Sequence, residues 1–142
     1  MNLNTLLLIG LVQAGCITTL KAQEGMRHPI RAVVVGLRPA AGNMLYIGLM
    51  DEQGEQIEGQ RVAVTGEQLE VAFAPVPAGR YAVRTYQDEN GNGQLDFGMF
   101  KIPKEGVGCS NNAKGFMSAP ALKDMLFEVN GPKAIGIALT YY

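Results

Sequence analysis

The chain has no tryptophan, one histidine and two cysteines among 142 residues. A single histidine, His28, cannot supply the several imidazoles of a histidine-rich metal or acid–base site, and two cysteines cannot build the disulfide framework of a small secreted scaffold. Clustered positive charge is missing too. Lys and Arg number 12 against 13 Asp and Glu, the formal charge is −1, and basic residues run together nowhere. A chain with no basic tract offers no electrostatic footprint for a phosphate backbone, so nucleic acid is not an expected partner. No apolar stretch reaches the roughly 20 residues of a membrane-crossing helix, so no transmembrane span is expected in the mature protein. What is present is globular: 47% hydrophobic and 18% charged residues, with 18 glycines that favour turns and short strands over long helices.

The N-terminus reads as a targeting segment. Leu6, Leu7, Leu8, Ile9, Leu11 and Val12 form an apolar core, and Leu20-Lys21-Ala22-Gln23 places a small residue before a cleavage point. Residues 1–22 are therefore expected to be a signal peptide and residues 23–142 one exported domain, periplasmic or extracellular. Ala14-Gly15-Cys16 has the small-small-Cys ending of a lipoprotein signal, with Gln13 where a bacterial lipobox normally carries Leu. A lipid anchor at Cys16 is the alternative. In both cases Cys109 is left without a partner.

The rest of the chain is punctuated into short apolar runs. Residues 30–37, 44–50, 61–64, 68–73, 80–86, 124–129 and 134–142 each have strand length and β-branched or alternating character, with Gly, Pro, Asn or Asp between them. Leu69, Val71 and Phe73 alternate with Gln68 and Glu70, so that strand has one wet face. Pro75-Val76-Pro77-Ala78-Gly79 reads as a rigid turn that ends a strand. About seven strands at even spacing predict an all-β fold, a single antiparallel β-sandwich. Residues 98–119 read as a long irregular loop, the kind that tends to carry function.

One segment carries chemistry. In Asp88-Glu89-Asn90-Gly91-Asn92-Gly93-Gln94-Leu95-Asp96, side-chain oxygens recur at Asp88, Asn90 and Asn92. Gly93 permits a sharp bend, Gln94 can offer its backbone carbonyl, and Asp96 adds a second carboxylate. A hard divalent cation takes such an oxygen set, which makes Asp88, Asn90, Asn92, Gln94 and Asp96 the candidate ligands of a Ca²⁺ ion. The loop departs from an EF-hand at its twelfth position, where Met99 replaces the bidentate Glu, and it follows a strand rather than a helix. The same residues are good turn formers without any ion. Glu89 and Glu105 are further oxygens in the neighbourhood, Glu105 reading foremost as a solvated loop carboxylate.

Gly79-Arg80-Tyr81-Ala82-Val83, the loop 88–96, Ile102-Pro103-Lys104-Glu105-Gly106-Val107-Gly108 and Ser110-Asn111-Asn112 together resemble the exported bacterial proteins of domain-of-unknown-function family 2141. Gln87 stands where that family more often shows His. The resemblance implies an immunoglobulin-like or transthyretin-like sandwich in the periplasm or at the surface, and implies no activity.

Catalysis finds few candidates. A Cys109–His28 dyad would rest on a lone histidine at the start of the mature chain, a lone cysteine is more often a small buried hydrophobe, and a hydroxyisourate hydrolase would need several histidines. The expectation is a non-enzymatic module with a calcium loop whose partner is an envelope protein or a glycan. A structural envelope protein without ligand is the alternative, and a carbohydrate platform built on Tyr81, Tyr86, Tyr141 and Tyr142 is a further one.

Overall fold

The computed structural model describes residues 25–142. The apolar leader, Cys16 and the cleavage step after Ala22 lie outside the described residues. Eight strands follow in order: β1 (Arg27–Val35), β2 (Met44–Met50), β3 (Gln56–Ala63), β4 (Gln68–Pro77), β5 (Gly79–Asp88), β6 (Val107–Cys109), β7 (Phe127–Val129) and β8 (Lys133–Ala138). One short helix, α1 (Leu122–Met125), precedes β7. No described helix is long and apolar enough to cross a membrane.

The strands form two sheets, one in the order β4-β1-β8 and one in the order β3-β2-β5-β6, with β7 also paired to β5. All pairings are antiparallel except β1 with β8. The expected all-β sandwich is therefore what the chain adopts. Alternation decides the inner faces: Ile30, Ala32 and Val34 from β1, Leu45, Ile47 and Leu49 from β2, and Val71 and Phe73 from β4 all enter one core with Val83 and Ile137. Fully burying each large aliphatic side chain contributes about 1.5–3 kcal/mol, which is what holds together a fold whose Cys109 is a free thiol.

Two segments differ from the sequence reading. The stretch Pro75-Val76-Pro77 does not end β4, which continues to Pro77 opposite Arg27. Its prolines are tolerated because β4 is an edge strand and the register shifts between His28 and Ile30, so no second ladder asks for their missing N–H groups. The long loop is not irregular throughout. It holds two short 3-10 turns, Met99–Lys101 and Ser110–Asn112, and the three residues of β6 between them.

Ser110-Asn111-Asn112 explains how that segment is fixed. Strand β6 covers β5 at Arg84–Tyr86 and β7 covers it at Gly79–Tyr81, leaving the Val83 amide between them. Buried Ser110 fills that gap: its Oγ accepts the Val83 N–H at 2.9 Å and donates to the Met125 carbonyl at 2.6 Å. Asn111 Nδ2 donates to the carbonyls of Asp124 and Leu126, and Asn112 Oδ1 accepts the Ala138 N–H. Three consecutive side chains thus tie β5, α1 and β8 together. Both asparagines sit at positive φ, a region Asn enters more readily than most residues.

Candidate functional site

The segment 88–96 leaves the end of β5 as a closed polar loop. Asp88 is fully buried, and its two carboxylate oxygens accept the N–H groups of Gly91 (2.9 Å) and Gly93 (2.8 Å). Gly91 and Gly93 have φ of 74° and 76°, the left-handed region that lets the chain fold back on Asp88. Asn90 Oδ1 accepts the Asn92 N–H and Asn92 Oδ1 accepts the Gln94 N–H, while both amide nitrogens donate to the Asp96 carboxylate. Asn90, Asn92 and Asp96 are thus joined through their side chains, while Asp88 holds the backbone of the same loop. The Gln94 side chain is exposed, as are those of Asn90 and Asn92, and its backbone N–H is held by Asn92 Oδ1.

Glu105 is the residue misjudged in the sequence. It is not a solvated carboxylate but is buried, accepting the N–H groups of Glu89 (2.9 Å) and Asp96 (3.3 Å) across the base of the loop. Its burial follows from the Pro103-Lys104-Glu105-Gly106 segment, which the Gly98–Ile102, Asp96–Lys104 and Gln87–Gly106 backbone hydrogen bonds fold back beneath the loop. Two buried carboxylates therefore flank the loop. The ion pairs among the described residues, Arg31–Glu70 and Arg80–Glu52, involve neither.

The donor chemistry fits a hard cation, since every proposed ligand presents oxygen. Among the described residues no three His, Cys, Asp or Glu side chains gather as an ion site by themselves, so amide and backbone oxygens would have to complete the shell. Asp88 keeps free lone pairs after accepting two N–H groups. Asn90 and Asn92 would exchange their hydrogen bonds to Asp96 for the ion.

Gln87, next to the loop, is also fully buried. Its Oε1 accepts the Arg38 N–H and the Tyr141 hydroxyl, both at 2.9 Å, and its Nε2 donates to the Arg38 carbonyl at 2.6 Å. The Arg38 guanidinium lies 3.5 Å from the Tyr141 ring centroid. Gln87 is a tie between β5, the chain after β1 and the C-terminal segment. Tyr141 is engaged there, and Tyr81 donates its hydroxyl to Pro77, so the four tyrosines considered as a sugar platform are not one surface.

A cleft of about 1100 Å³ lies on the outer face of the larger sheet, under residues 95–103 and 112–120. Its floor is a cross-strand row in which Arg61, Tyr46, Tyr86 and Val107 are direct neighbours. Tyr46 and Tyr86 stack with ring centroids 4.9 Å apart and planes 3° from parallel. The Tyr86 hydroxyl donates to the Gly93 carbonyl at 3.3 Å, so the cleft floor and the polar loop touch. Sequence reasoning did not find this cleft. Its signal was the outward phase of two strands, Tyr46-x-Gly48 and Arg84-x-Tyr86, but nothing local says which residues will arch over them.

Among the described residues no nucleophile stands out. Cys109 lies in a small second core with Met50, Ala82 and Met125, and burial pushes its thiol up from its ordinary value, keeping it protonated. His28 belongs to β1 of the other sheet.

A search of curated proteins finds no match. A family model described as "Uncharacterized protein conserved in bacteria (DUF2141)" matches residues 34–136. That match runs from the end of β1 into β8 and takes in the polar loop, the buried Glu105 and the Ser-Asn-Asn ties, and the chain belongs to this family of uncharacterized bacterial proteins.

Proposed function

We propose that this protein is a non-enzymatic, exported binding module in which a Ca²⁺ ion held by residues 88–96 fixes one wall of the cleft. The observation that carries the reading is the pair of buried carboxylates, Asp88 and Glu105, at the base of a loop rich in oxygen donors and apart from any ion pair among the described residues. Each of these carboxylates accepts two backbone N–H groups and keeps lone pairs free, and a cation would add charge compensation that amides do not supply. Asp88 and Asp96 would hold the ion with the oxygens of Asn90 and Asn92 and the Gln94 carbonyl. Leu95 and Phe97, at the loop's end, line the cleft, so ordering the loop orders that wall.

Export is supported by the apolar leader ahead of Ala22. The absence of a catalytic role is supported by the protonated Cys109 thiol and by the placement of His28 on the opposite sheet. The hydrogen-bonded closure of the loop favours a second reading, a structural envelope protein with no ligand, because no buried side-chain polar atom of the described residues lacks a partner. Thermal melts of the chain from Gln23 separate the two. At free Ca²⁺ 100 times the dissociation constant, a site confined to the folded state adds about 2.7 kcal/mol, a rise on the order of 10 °C that Mg²⁺ and an Asp96→Asn variant should not reproduce. Identical melts with Ca²⁺ and with chelator would leave the structural reading standing.

A further inference from the structure

We infer that the cleft over Tyr46 and Tyr86 binds an anionic amphiphile, a molecule with one acidic head on an apolar chain. The inference rests on the binding-module reading of this site and not on calcium. Its first support is charge. Arg61, Arg84, Lys101 and Lys114 line the cleft, and no Asp or Glu side chain does, although the whole chain carries more acidic than basic residues. None of the four takes part in the ion pairs found among the described residues. Unpaired cations around a concave, partly dry surface focus a positive potential into it and select an anion.

The second support is apolar surface that nothing in the fold uses. Phe97, Phe100, Ile102 and Met117 stand on the arching segments above the floor and are 46–78% exposed. They are not part of either hydrophobic core. Several large hydrophobic side chains left in water around one cleft mark a site for an apolar ligand rather than a packing requirement. The two rows of the floor divide the task. Arg61 lies over the Tyr46 ring at 5.4 Å from its centroid, so one end of the row is cationic, while the Tyr46–Tyr86 stack and Val107 continue it as apolar surface. In the neighbouring row Gly48 and Gly59 carry no side chain, which leaves the Gln56 amide lying across them and Arg84 free beside them. An acidic head can meet Arg61 and Arg84 while its chain runs beneath Phe97 and Phe100. A sugar would use the stacked rings but would leave the four cations and the exposed phenylalanines without a purpose.

The test is titration calorimetry of the chain from Gln23, with Ca²⁺ and with chelator, against laurate and dodecyl phosphate below their micellar concentrations. Dodecyl maltoside, dodecyltrimethylammonium, inorganic phosphate and anionic phospholipid vesicles serve as comparisons. Both single-chain anions should bind, at least about tenfold more tightly than the neutral or cationic amphiphile or phosphate alone. The Arg61→Gln, Arg84→Gln double variant should weaken them about five- to tenfold, as loss of two partly exposed ion pairs implies. A Phe100→Ser variant, at an exposed position, should weaken chain binding while leaving the melting temperature in place. Equal binding of all three amphiphiles, equal binding of phosphate and dodecyl phosphate, binding to vesicles alone, or no binding would each overturn the inference. A calcium-dependent melt that persists beside a failed titration would sink this inference and leave the calcium reading intact.

Discussion

Replacing Ser110 by Ala tests how the arching segment is fastened. Ser110 is fully buried, and its hydroxyl is the partner of two backbone groups, the Val83 N–H and the Met125 carbonyl. Alanine keeps the backbone and the Cβ but removes both hydrogen bonds, in a place water cannot enter. Each buried group left unpaired costs about 1–3 kcal/mol, so the variant should lose about 2–6 kcal/mol. For a domain of this size that is a fall in Tm on the order of 10 °C. Equilibrium unfolding in urea, followed by far-UV circular dichroism, should show a lower midpoint at an unchanged slope, because the surface exposed on unfolding is the same. Ser118→Ala, at an exposed position whose hydroxyl meets only its own turn, is the control and should shift stability by less than about 0.5 kcal/mol. A Ser110→Ala loss as small as that of the control would refute the tie between β5 and α1.

Gln87→Leu should lower stability by about 1–3 kcal/mol in the same urea assay, since it unpairs the Arg38 N–H, while the Tyr141 hydroxyl keeps the Gly36 carbonyl and the Arg38 carbonyl keeps Asn43; Gln87→His, which keeps one acceptor and one donor, should retain part of that, and equal losses would argue against the network. The Cys109 thiol should react with a chromogenic disulfide at pH 8 far more slowly in the native protein than in urea, and a fast native reaction would contradict its burial. Because burial raises the folded-state thiol pKa, the native state holds that proton more tightly. Its contribution is complete below the unfolded value of about 8.5 and is lost as pH rises through the folded value, so stability should fall in mildly alkaline solution, less so in Cys109→Ala.

Period-two alternation made the core legible in sequence. The run at 68–73 shows its inner face directly because its other side is wet, whereas 44–50 is apolar throughout and half-buried even on its outer side, so its phase is set by its neighbours. β3 was seen only in its second half, since Gln56, Glu58 and Gln60 carry no apolar signal on an exposed edge strand. β6 is three residues long and is defined by its neighbours, not by its own composition. Within the loop, the spacing of Asn90, Asn92 and Asp96 brings those three side chains together, while Asp88 takes the backbone N–H groups of two glycines at positive φ, and both are local properties. The burial of Glu105, 17 residues beyond Asp88, was hidden because it depends on a chain reversal held by long-range hydrogen bonds. The cleft was hidden for the same reason: its floor comes from four strands and its roof from segments that have no period at all.

The most direct test of the central claim is a calcium titration of the metal-stripped chain from Gln23 by calorimetry. The account predicts one ion per chain with a dissociation constant in the range of about 10⁻⁴–10⁻³ M, weak because only Asp88 and Asp96 among the ligands are charged, and it predicts no such binding in Asp96→Asn. No heat of binding up to several times that concentration, or equal binding by the variant, would contradict it and leave the loop a hydrogen-bonded turn.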